Sequence, residues 1–423
     1  MEKRMPKDRP FRVLFVSLTN DVGSSRILVE FARHGAECAV LGERWFTAAC
    51  SAYTKRVFPL ANRFGAASTR LTARRRLERV VSEWTPDRVV PVDELASHIL
   101  RQIAVDPSAS ASVQDVLTAS LGDPEGYPLV ANRGRLMLAA REIGARVPRF
   151  AIPTNWREAR DAGAALGYPF VLKREYTCGG SGVAIVDNPS GYFKDYVAAS
   201  SKALLKRAAT LWAGDVGSPL LAQAFVPGKV AFRAVACDKG RALAGISYVC
   251  ERQHPPKTGA STIIRQIDHV EMESSAAALV QRLGCSGFVG FDFMIDGHGA
   301  AHLIEMNGRP VGSSHLGVFF GHDLVGSYLA DIAGRPAPRP FPKLPKGQLI
   351  AVFPRELERD PESADALRRS GVVHDAPWDD PPVLAMQAAA LIKRFPDKRA
   401  AIEAALANQP DDASAASKLA RAG

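Results

Sequence analysis

The residues best suited to chemistry in this 423-residue chain lie in GFVGFDFMIDGHGAAHLIEMNGRP, residues 287–310. An apolar run holding Asp292, a DGHG turn, and a second apolar run holding Glu305 read as two strands of a hairpin. With the turn centred between His298 and Gly299, Asp292 falls directly opposite Glu305. Their neighbours Phe291, Phe293, Ile304 and Met306 predict that both acids are partly buried. Carboxylates facing each other across a ladder repel. A hard divalent cation between them removes the conflict. Asn307, two residues after Glu305 and so on the same face, offers a neutral oxygen as a third ligand. Gly290, opposite Asn307, is expected to leave space for something bulky. Oxygen donors, few and on one rigid hairpin, suit Mg²⁺ or Mn²⁺ held jointly with phosphate oxygens. The plain alternative is a hairpin whose acids face water, which leaves the apolar flanks and the asparagine unexplained.

A basic group and a glycine turn come earlier, in YPFVLKREYTCGGSGVAIV, residues 168–186. Lys173 ends an apolar strand, Gly179, Gly180, Ser181 and Gly182 form a turn, and a second strand follows. Such a turn can aim several backbone N–H groups at phosphates while the lysine adds charge. It lacks the G-K-[ST] of a P-loop and joins strand to strand rather than strand to helix. About forty residues later, in PLLAQAFVPGKVAFRAVA, a strand breaks at Pro227-Gly228 and resumes. A break there can present backbone groups of Phe225 and Val226 to a planar base. Each of these two features, alone, is also what an ordinary sheet turn looks like.

Positioning these groups requires several layers. The chain is too long for one ordinary core, and 47% hydrophobic with 23% charged residues is the balance of a globular protein. Residues 11–42 read as strand, turn, helix, strand, a βαβ opening onto a parallel sheet, and a second helix and the strand PDRVVPVD extend it. The turn lacks G-x-G-x-x-G, so no dinucleotide site is expected. NRGRLMLAAREIG is a helix capped by Asn132 and stopped by Gly144. From 168 to 310 short strands alternate with glycine turns, and a proline-rich stretch at 334–347 reads as a linker. No apolar run reaches the roughly 18 residues needed to span a bilayer, and FRVLFVSL is too short for a signal peptide. Six scattered cysteines without a C-x-x-C pair suit free thiols in a reducing compartment, so the cytoplasm is the expected address. The net charge of +10 draws on the run Arg70 to Arg79. That run reads as the solvated face of a helix, or as a source of attraction for anionic substrates, because no nucleic-acid signature accompanies it.

Lysine with glycine turn, broken strand, and D-x(12)-E-x-N hairpin, in this order, resemble the ATP-grasp superfamily over roughly residues 129–335. The resemblance implies an α/β and α+β fold with three parts. An N-terminal doubly wound βαβ domain spans 1–128. A two-lobed ATP-grasp core spans 129–335, its nucleotide lobe about 168–228 and its metal lobe about 229–335. A linker and small C-terminal α/β extension span 336–423. Carried over by residue, Arg133 and Lys173 would touch phosphates, and Gly179, Gly180, Ser181 and Gly182 would close over them. Gln223, Phe225 and Val226 would line the nucleotide. Asp292, Glu305 and Asn307 would hold the metal, and Arg309 would offset charge on the reacting groups. The chain departs from the family after Gly228, where Lys229 and Val230 stand in place of the acid that often holds the ribose hydroxyls.

The implied reaction is ATP-dependent ligation. A carboxylate attacks the γ-phosphate to give an acylphosphate, and an amine then displaces phosphate. ATP and Mg²⁺ or Mn²⁺ are the expected cofactors, and Lys173, Arg309 and Arg265 the expected catalytic cations, with Lys257 a weaker candidate. His315 either faces substrate or is a core histidine. The expected partners are a small-molecule carboxylate and amine, with no specific nucleic acid and no membrane, and a homodimer stays open. The alternatives are the same core acting on a thiol or other acceptor, and a nucleotide-binding regulator without turnover.

Overall fold

The computed structural model describes residues 9–60, 66–154, 156–174, 183–189, 220–257 and 259–407. The N-terminal part is a four-stranded parallel sheet of β1 (Arg12–Val16), β2 (Glu37–Gly42), β3 (Thr54–Pro59) and β4 (Arg88–Pro91), in the order β3-β2-β1-β4. Strands β1, β2 and β4 are largely apolar and buried because helices cover both faces, whereas the edge strand β3 is partly exposed. On one side the helix Ala66–Trp84 buries Ala73, Leu77, Val80, Val81 and Trp84. Arg70, Arg75, Arg76 and Arg79 line that helix's exposed face, so the basic run is solvated where the sequence placed it. On the other side the helix Ile27–Arg33 buries Phe31.

A small antiparallel sheet follows: β5 (Phe150–Ala151), β6 (Phe170–Arg174), β7 (Val183–Val186) and β8 (Leu220–Ala224), in the order β5-β8-β6-β7. The large sheet comprises β9 (Lys229–Asp238), β10 (Arg241–His254), β11 (Ala260–Ile267), β12 (Gly287–Ile295), β13 (Ala301–Asn307), β14 (Leu349–Val352) and β15 (Val373–Asp375). Its order is β13-β12-β9-β10-β11-β14-β15, so the C-terminal extension widens this sheet by its last two strands.

The period of two along β12 sends Val289, Phe291 and Phe293 into one core, with Met272, Ala276 and Leu279 of the helix Val270–Arg282 and Leu136 and Met137 of the helix Arg133–Glu142. The opposite row carries Phe288, Gly290 and Asp292. Phe288 there meets Phe31 edge-on at a ring separation of 5.6 Å and Tyr328 at a tilt at 5.2 Å. N-terminal and large sheets thus share one core, which fixes the loops of the first against the hairpin of the second. No helix among the described residues is long and apolar enough to cross a membrane. The five described cysteines are free thiols.

Candidate active site

Asp292 pairs with Glu305 and Gly290 with Asn307, the register expected from sequence. The turn is nevertheless centred one half-step earlier than expected: Asp296 N–H bonds the Ala300 carbonyl, and Phe293 pairs with Leu303. A β-bulge on β13 restores the acid pairing, with Ile304 as its extra residue. The bulge has a use. The Ile304 carbonyl accepts a hydrogen bond of 2.9 Å from Nζ of Lys173, which reaches across from β6.

Glu305 is also met by Arg133, the first residue of the helix that Asn132 caps by accepting from the Arg135 N–H. The Arg133 guanidinium donates to Glu305 Oε1 at 2.6 Å and to the Arg174 carbonyl. Arg309, 8% exposed, donates to Glu94 Oε2 at 3.2 Å and to Ser24 Oγ at 3.0 Å, with Asp21 Oδ2 3.7 Å away. Burial pushes the Asp292 carboxyl up, and Glu305 opposite adds to the rise. Burial would raise Glu305 too, but Arg133 and then Lys173 outweigh it and hold its carboxyl below the usual range. Burial brings the Lys173 ammonium down to about 8, a fall that Glu305 limits.

Two acids on adjacent strands, one of them pushed up, with an amide oxygen on the same face, are an oxygen-only donor set that a hard divalent cation fits. The residues present therefore suit Mg²⁺ or Mn²⁺.

Three expectations need correction. Gly290 does not open space for a ligand: a Cβ there would lie 2.3 Å from Cγ1 of Val311, so Val311 fills the site. Arg265 is not brought to the acids. It shares a cross-strand row with Val249, Ala231 and Phe293, which points to the face away from Asp292. Three strand spacings, about 14 Å, also separate β11 from β12, and the guanidinium is taken up by Glu251 and the Gly347 carbonyl. Gln223 is 2% exposed, with its amide on Sδ of Met137, so it packs in the interior rather than facing a ligand.

Phe225 and Val226 lie in the short connection from β8 to β9, where Phe225 is 37% exposed. Gly228 at its end has a physical reason: a Cβ would come within 2.0 Å of the Ile295 carbonyl, where the hairpin packs against the connection. Gly179, Gly180, Ser181 and Gly182 lie outside the described residues. Lys257 is exposed, and His315 is a core residue whose Nε2 meets Asp375 at 3.0 Å.

Sequence reasoning missed the groups that the N-terminal sheet delivers. Asp21 and Glu94 follow β1 and β4 and bracket Arg309. Ser97 and Arg101 both donate at 3.0 Å to the Gly308 carbonyl, clamping the residue before Arg309. The signal was available: polar residues just past the carboxyl ends of parallel strands are where open α/β sheets gather ligands.

A four-stranded parallel sheet with two largely antiparallel sheets makes a mixed α/β fold like that of biotin carboxylases. Residues 132–313 match the family model of the ATP-grasp domain. Formate-dependent phosphoribosylglycinamide formyltransferase of Synechococcus elongatus is 30% identical over 120 residues, a match covering 27% of this chain and 27% of that relative's length. The likeness in fold reaches further. A biotin carboxylase from Campylobacter jejuni, solved as a β,γ-ATP complex, superposes with a TM-score of 0.59 at 16% identity, covering 77% of this chain and 72% of that one. An L-amino acid ligase from Bacillus licheniformis gives 0.52 at 15% identity, covering 77% and 75%.

Proposed function

We propose that this chain is an ATP-dependent ligase that activates a small-molecule carboxylate as an acylphosphate and joins it to an amine, releasing ADP and phosphate. The observation that carries the reading is the Asp292–Glu305 pair, flanked by Asn307 and approached by Arg133, Lys173 and Arg309 from three separate parts of the chain. The match of residues 132–313 to the ATP-grasp domain model, and the likeness in fold to an L-amino acid ligase, support it.

Asp292, Glu305 and Asn307 would hold Mg²⁺ or Mn²⁺. The cation, when bound, supplies charge neutralisation at phosphoryl oxygens. Arg133 and Lys173 bind the phosphates, Lys173 as a point charge and Arg133 through its planar fork. Phe225 and Val226 offer backbone and an apolar surface to the adenine. Arg309, rigid because Glu94, Ser24 and the Pro310 carbonyl fix its guanidinium, offsets negative charge on the reacting groups without reorganising. Little covalent work falls to side chains in phosphoryl transfer, so positioning and charge are what the chain contributes.

The test is ADP release with Mg²⁺ across pooled carboxylates and amines, with Glu305→Ala alongside. ADP that requires one acid and one amine, and that disappears in the variant, supports the ligase and names its substrates. ATP binding with no release from any pool, thiol and peptide acceptors included, favours a nucleotide-binding regulator. Failure to bind ATP and Mg²⁺ refutes the reading.

A further inference from the structure

Glu305 already has a partner. Its Oε1 accepts from Arg133 at 2.6 Å, and the two side chains are only 20% and 11% exposed. Arg133 arrives from a helix 172 positions earlier in the chain, so the ion pair is made by tertiary packing and not by the hairpin. The same guanidinium donates to the Arg174 carbonyl, on the strand that also sends Lys173 to the Ile304 carbonyl at 2.9 Å. Both basic residues are therefore engaged by the protein itself, one on a carboxylate of the hairpin and one on the carbonyl that the bulge turns out.

Among the described residues, Asp292 and Glu305 face the two cations Arg133 and Lys173, and the nearby Arg309 is itself met by Glu94 and Asp21. A divalent ion entering alone would have to displace the Arg133 guanidinium from Glu305 and would leave two extra positive charges in a partly buried place. A polyphosphate changes both conditions. It offers Arg133 and Lys173 acceptors at least as good as those they leave, through charge-assisted hydrogen bonds, and its negative charge offsets the ion.

We infer that Arg133 gates the metal: it holds Glu305 until polyphosphate draws it away, so the hairpin accepts a divalent cation only together with nucleotide. This rests on the reading of the hairpin as the metal site. An arginine serves the purpose better than a lysine because its fork binds Glu305 and the Arg174 carbonyl at once, which keeps it in register with both lobes. Binding then amounts to an exchange of partners. Arg133 moves from carboxylate to phosphate, and Glu305 from guanidinium to cation.

The experiment is a Mn²⁺ titration of the full chain, followed by the electron paramagnetic resonance of free Mn²⁺, with and without ADP. Binding is counted above the Mn²⁺ that ADP holds in protein-free solution. The wild-type chain is expected to bind Mn²⁺ at least about tenfold more weakly without ADP than with it. Arg133→Gln is expected to raise the ADP-free affinity about 10- to 100-fold, the range that a hydrogen bond between charged groups commands. Equal affinity with and without ADP in the wild-type chain, lost in Glu305→Gln, would overturn the gate while leaving the metal site standing. An ADP-free affinity unchanged in folded Arg133→Gln would overturn it as well. Mn²⁺ binding with ADP that survives Glu305→Gln would instead sink the underlying reading of the hairpin. Because ADP also supplies phosphate oxygens to the ion, ADP dependence in wild type alone does not establish the gate; the rise in Arg133→Gln does, and equal wild-type affinities refute it even if that variant lowers stability.

Discussion

Gly290→Ala is the sharpest perturbation of the hairpin. The added methyl would sit 2.3 Å from Cγ1 and 3.3 Å from Cγ2 of Val311, where ordinary contact needs well over 3 Å. Overpacking of this kind costs about 1–3 kcal/mol. Gly290 has no positive φ, so alanine fits the backbone, and the loss of unfolded-chain freedom returns about 0.4–1 kcal/mol. The net expectation is a destabilisation of about 1–2 kcal/mol. Val311→Ala removes two methyl groups from a partly buried side chain, about 1.5 kcal/mol. In that background the clash is gone, so Gly290→Ala should become neutral or slightly stabilising. A double-mutant cycle by urea denaturation should therefore show a favourable coupling of about 1–2 kcal/mol. Additive effects within about 0.5 kcal/mol would refute the claim that Val311 fills the space above Gly290.

The His34–Asp323 contact, 2.8 Å between the N-terminal helix and the cap of the helix Leu324–Ile332, should make stability depend on pH. The hydrogen bond to Asp323 raises the His34 imidazole above its ordinary value, against the opposing effect of burial; Glu30 raises it further and Arg33 lowers it. The stabilisation is thus complete below about pH 6.5 and lost as pH rises through the higher folded value. The melting temperature of His34→Asn should fall short of wild type by more at pH 5.5 than at pH 8.5, and an equal gap at both would contradict this. Arg265→Ala should leave nucleotide affinity within about twofold and cost under about 1 kcal/mol, since an exposed ion pair is worth little; a tenfold loss of ATP affinity, read by calorimetry, would put Arg265 back in the site.

What the sequence determined by itself is what short-range rules govern. The pairing of Asp292 with Glu305, the βαβ opening, the Asn132 cap and the strand that carries Lys173 all follow from periods of 2 and 3.6 and from turn residues within a dozen positions. Even there a half-step error in the turn was hidden by the bulge at Ile304, which no local pattern announces. Tertiary structure decided everything that depends on which face meets which partner. Val311 rather than a ligand lies over Gly290, and Arg265 looks away from the acids because one residue along a strand reverses its face. Gln223 lies under Met137. Asp21, Glu94, Ser97 and Arg101 come to Arg309 and Gly308 across more than 200 residues of chain. The physical reason is the same throughout: local hydrogen bonding selects strands and helices, whereas side-chain partners are chosen by the burial of whole faces. A face is shared by segments that the linear order keeps far apart.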